Sequence, residues 1–195
     1  MRQWRTTFAA LAVLCVVMGT QYALALRGRV FHSRTEIEVA NSNEGARALH
    51  DLGVKGRIVV LLGSHTRTVH FSAVYPSLDV LREKSELMPA TRQNLITVLQ
   101  TLGIARRVYV VPPPDRWNSL RKAVAQKWDA FPTGDGGLRF YSVGIPVTVA
   151  RPEDLPTGEK FIVYVKRSAE PRYAQGIVES ITSAGRADVV VREAP

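Results

Sequence analysis

Gly63-Ser64-His65 follows directly on the apolar run RIVVLL at positions 57–62 and is the best-looking site in the chain. In α/β sheets ligands bind at the carboxyl ends of strands, so a loop leaving such a run is where a site belongs. Ser64, with His65 or His70 as base and Asp79 as orienting carboxylate, supplies the residue types of an activated nucleophile. These four are the catalytic candidates. The opposing reading is a turn at Gly63-Ser64 with both histidines in solvent. It has two supports: no G-x-S-x-G elbow is present, and adjacent side chains rarely point at each other.

Metal and phosphate chemistry find less support. His65 and His70 have a spacing seen in some zinc sites, but the single cysteine, Cys15, lies far away in an apolar segment, and no H-E-x-x-H occurs. In an extended segment their odd spacing sends the two rings to opposite faces. His32 and His50 stand alone. Gly134-Asp135-Gly136-Gly137 lacks both the dinucleotide spacing and the Gly-Lys-Ser/Thr ending, and a β-rich stretch follows it, so it reads as a hairpin turn. The expectation is no metal and no cofactor.

The elements that carry these residues alternate. Thr35 to Val39 reads as a strand, and Asn41-Ser42-Asn43 can cap a helix that Gly53 ends. RIVVLL, continuous and β-branched, fits a strand covered on both faces. Thr68 to Ala73 alternates weakly, and 78–88 is weakly helical. Leu95, Val98, Leu99 and Leu102 recur at helical spacing, with Pro89 able to open that helix and Gly103 to close it. Val108 to Val111 is a strand. Asp115 is placed to cap a helix with the stripe Trp117, Leu120, Val124 and Trp128. Its remaining surface carries Arg116, Arg121, Lys122 and Lys127, which read as a solvated face or as a docking surface for anionic lipid heads or an acidic subunit.

From Leu138 to Val149 the chain is β-rich, with Val143, Ile145, Val147 and Val149 on one side. Pro146 would confine this piece to an edge or a bulge. Phe161 to Val165 is a strand, Pro171 opens a helix ended by Gly185, and Val189 to Val191 is the last strand. This order predicts an α/β domain with a mixed, mostly parallel sheet flanked by helices, its interior built from RIVVLL and the strands near Val108 and Phe161.

The N-terminus has a different character. Positions 6–26 carry no charge, and 21 helical residues span about 30 Å, the thickness of a bilayer's hydrocarbon core. Trp4 and Tyr22 suit the two interfaces, and Phe8, Leu11, Leu14 and Val17 the hydrocarbon between them. Arg2 and Arg5 followed by an apolar stretch and Ala23-Leu24-Ala25 also compose a signal peptide with its cleavage site. A retained single-pass anchor is the favoured expectation, with domains at 1–34 (anchor or signal segment) and 35–195 (soluble α/β domain).

Net charge follows the same division. It is +9, but no acid precedes Glu36, while Arg2, Arg5, Arg27, Arg29 and Arg34 do. Without those five, 21 basic residues face 17 acids, so the domain itself is only about +4. That excess flanks the apolar segment and is no footprint of nucleic acid.

Together these features point to a non-catalytic, single-pass accessory or assembly subunit of a larger membrane protein complex. Its soluble domain lies on the exported side, and its partners are the bilayer and other membrane subunits. The alternatives are an exported or anchored hydrolase using the Ser64/His65 loop, and a secreted or periplasmic ligand-binding domain released by signal cleavage.

Overall fold

The computed structural model describes residues 34–63, 90, 94–127, 129–142, 144–166 and 171–194, with backbone only for Lys127 and Pro171. The N-terminal segment 6–26, including Trp4, Phe8, Leu11, Leu14, Val17 and Tyr22, lies outside these residues. So do the expected elements at 68–73 and 78–88. Among the described residues no helix is long and apolar enough to cross a membrane.

The domain is α/β. Among the described residues eight strands form one mixed sheet: β1 (Thr35–Val39), β2 (Arg57–Leu62), β3 (Ala105–Val111), β4 (Phe131–Pro132), β5 (Leu138–Ser142), β6 (Ile145–Val149), β7 (Phe161–Val165) and β8 (Ala187–Glu193). Their order across the sheet is β1-β8-β7-β2-β3-β6-β5-β4. Pairing is parallel from β1 to β6, and antiparallel where β5 joins β6 and β4 joins β5.

RIVVLL has both faces covered, as its unbroken apolar run requires. Val59 and Val60 are fully buried, and β3 and β7 flank the strand on either side. Its side chains feed two cores. On the first face, Val59 and Leu61 pack with Leu49 of α1 (Ser42–Asp51), Leu95 and Leu99 of α2 (Leu95–Thr101), and Leu120 and Val124 of α3 (Trp117–Lys127). On the second, Ile58, Val60 and Leu62 pack with Ala174, Ile177, Val178 and Ile181 of α4 (Pro171–Ser183) and with Leu155.

Several local expectations needed revision. The helix at 95 begins from Asn94, which makes no side-chain cap; Pro89 lies outside the described residues. Asp115 does not cap α3 but sits inside a 3-10 turn, Pro114–Arg116, that leads into it. The β-rich stretch 138–149 is the hairpin β5–β6. Pro146 does not force β6 to an edge, because β3 begins to pair with β6 only at Val147, leaving no β3 ladder bond at the proline to lose.

Candidate functional site

The carboxyl ends of β2 and β7 lie side by side, with Leu62 opposite Val165 and the Lys166 N–H donating to the Leu62 carbonyl at 3.2 Å. From this point the chain departs in opposite directions. Beyond β2 the next described helix, α2, packs on the first face and leads outward to β3. Beyond β7, α4 packs on the second face and leads the other way to β8. This is the topological switch point at which open α/β sheets hold their ligands.

Gly63 ends β2 there, buried and with φ +80°, a conformation that favours glycine. The serine and histidines expected to follow it, Ser64, His65 and His70, and the orienting Asp79, all lie outside the described residues.

What the described residues assemble at this edge is a buried polar cluster. Alternation along β7 puts Tyr164 on the first face. Its hydroxyl donates to Glu193 Oε1 at 3.1 Å, and the Ser42 hydroxyl donates to the same oxygen. Ser42 opens α1 behind the N-cap Asn41, whose side chain accepts the N–H groups of Asn43 and Glu44 at 3.0 Å each. Glu193 closes β8. One carboxylate thus joins the start of α1 to the ends of β7 and β8.

Close approach is built into the helix. A Cβ at Gly45 would lie 2.1 Å from the Tyr164 hydroxyl oxygen, so only glycine lets α1 settle over the phenol. Burial first, and the Glu193 carboxylate second, push the Tyr164 hydroxyl's pKa far upward, so it remains a proton donor. Ser42, Tyr164 and Glu193 are at most 8% exposed. The cluster joins α1, β7 and β8 through one carboxylate. Lys166, 2% exposed, continues the same edge.

Sequence reasoning did not single out these residues. The one available signal was polar residues ending otherwise apolar strands, as Lys166 ends FIVYV.

Elsewhere, the Gly134–Gly137 stretch is the turn between β4 and β5, with the Thr133 N–H donating to the Gly137 carbonyl at 3.0 Å. Of the basic side chains around α3, Arg116, Arg121 and Lys122 are exposed, and Arg116 pairs with Asp115 at 3.2 Å; the Lys127 side chain is outside the described set. At the antiparallel end of the sheet, Phe131 and Tyr141 are 41% and 57% exposed, with ring centroids 6.2 Å apart. Among the described residues no three histidines, cysteines or carboxylates group as a metal site. Comparison with protein-family models, curated proteins and solved structures finds no match.

Proposed function

We propose that this chain is a non-catalytic, single-pass accessory or assembly subunit of a membrane protein complex, anchored through residues 6–26 with its α/β domain on the exported side. The supporting observation is a division of labour among its polar and aromatic groups. The hydroxyls and carboxylate at the carboxyl edge are turned inward onto each other. What faces outward is of docking type: the exposed Phe131–Tyr141 pair and the Arg121 and Lys122 surface of α3. Exposed aromatic pairs and arginines are characteristic anchors of protein interfaces.

Purification in mild detergent and identification of co-purifying chains tests the proposal. Replacing Val13 by Arg puts a charge at the centre of the apolar segment, at a cost of about 2.5–3.5 kcal/mol on insertion. It should strip the chain from the complex, because tethering supplies the effective concentration for docking. Ser64→Ala and His65→Ala should leave assembly unchanged.

A hydrolase working through Ser64 and His65 is the second reading, favoured by the position of Gly63 at the switch point. It predicts the reverse sensitivity, since losing a nucleophile or its base costs orders of magnitude in rate. A mature N-terminus at Leu26 would remove the anchor and leave the secreted binding domain.

A further inference from the structure

A groove of about 330 Å³ runs along α4 on the second face of the sheet. Its floor is apolar, formed by Pro152, Leu155, Ile177 and Ile181, and Arg186 stands at the C-terminal end of the helix. Three observations concern what fills it.

The first is Gly176, in the middle of α4 and lining the groove. A helix-interior glycine lowers the folding equilibrium about fivefold relative to alanine. Two things can justify one, a positive φ or a close neighbour. Gly176 is absent from the positive-φ glycines, and a Cβ built on it meets nothing within 4 Å. What the missing side chain does provide is room in the groove.

The second is Arg186. Its guanidinium lies 4.8 Å from the Phe161 ring centroid and donates through Nη2 to the Pro156 carbonyl, so its plane is fixed. Its Nε is buried and has no hydrogen-bond partner among the described residues. A guanidinium held in a fixed plane at the groove wall is preorganised for a carboxylate or phosphate.

The third is the opposite end. There Tyr173 donates to the Pro112 carbonyl at 2.8 Å, and its pKa is pushed up to about 12 by burial and then by the nearby Glu153 carboxylate. Two cations line the groove, Arg172 beside Tyr173 and Arg186 at the other end, and Arg186 is the one whose guanidinium is held by Phe161 and the Pro156 carbonyl. The groove's volume is at the small end of ligand pockets, which begin at about 300 Å³.

We propose that this groove binds a small anionic amphiphile, with its carboxylate or phosphate on Arg186 and its apolar part over Gly176, Ile177 and Ile181.

The test uses the full chain in neutral phosphatidylcholine nanodiscs, titrated with hexyl phosphate while the methyl resonances of Ile177, Ile181 and Ile162 are followed. Ile177 and Ile181 should shift saturably and Ile162, on the first face, should not. Gly176→Leu should abolish the shift with the Ile162 resonance unchanged. Gly176→Ala should raise the thermal midpoint while weakening binding, a pairing that a merely structural glycine would not give. Arg186→Lys should weaken binding about tenfold through loss of the planar fork. The proposal fails if no saturable shift occurs, if Gly176→Leu binds as wild type does, or if hexanol or inorganic phosphate alone reproduces the shift.

Discussion

At its amino end β8 is tied to its neighbours by charges that water reaches, and at its carboxyl end by hydroxyls that water does not. Asp188 pairs with Arg57 of β2 and, at 3.4 Å, with Lys160 just before β7, and the two cations are 48% and 42% exposed. Glu193, five residues on, takes the hydroxyls of Ser42 and Tyr164 in a site at most 8% exposed. Both arrangements join the same strand to elements distant in sequence, and both use a carboxylate. The difference is solvent. Ion pairs in water gain little, because Coulomb attraction is screened and each charge was already well hydrated. A buried acceptor is far harder to lose, because its donors keep their desolvation cost when it goes.

Glu193→Ala should therefore show the largest effect. It leaves two buried hydroxyls without their acceptor and should destabilise the domain by about 3–5 kcal/mol in a denaturant titration. A loss under 1 kcal/mol would put the clasp on the same footing as the ion pairs. Gly45→Ala comes next, at about 1–3 kcal/mol, because the added methyl must displace the Tyr164 ring. Asp188→Ala should cost about 1 kcal/mol or less. Raising salt should shrink that difference, whereas the Glu193→Ala loss should hardly respond.

The hairpin turn sets the floor of the series. The neighbouring Thr133 hydroxyl first, and then the Gly137 N–H that donates to Asp135 Oδ1 at 3.4 Å, lower the Asp135 pKa below its usual 3.8, outweighing the upward push of partial burial. A carboxyl depressed on folding stabilises the domain above its unfolded pKa and loses that contribution as pH falls through the lower, folded value. Thr133→Ala should slightly lower the thermal midpoint at neutral pH and flatten its decline between about pH 5 and about pH 2, the two proteins converging at the acid end.

How legible all this was in the sequence depended on the range of the interactions. RIVVLL declared its place in the sheet because burial on both faces demands an unbroken apolar run. The cap at Asn41 and the left-handed glycines at Gly53, Gly103 and Gly185 were readable because capping is decided within a turn of helix. β4 was not, since two residues ending in a proline carry no periodicity. The hairpin at 138–149 was hidden because its alternation runs on through the reversal at Gly144.

The clasp was out of reach. Ser42 and Glu193 are 151 positions apart and meet only because β8 returns to lie between β1 and β7. Gly45 looked like any helix glycine until Tyr164 was seen above it. The loop with Ser64 and His65 was conspicuous for the opposite reason: its reactive side chains are contiguous, and contiguity is what a sequence displays best.

The carboxyl-edge cluster is a structural clasp in which Glu193 satisfies Tyr164, and a double-mutant cycle measures that link directly. Denaturant unfolding would be followed for Tyr164→Phe in the wild-type chain and in Glu193→Ala. With the carboxylate present, losing the hydroxyl should cost about 1.5–3 kcal/mol. With it absent, the same change removes an orphaned buried donor and should be neutral or stabilising, giving a coupling of similar size. Equal losses in both backgrounds would contradict the clasp.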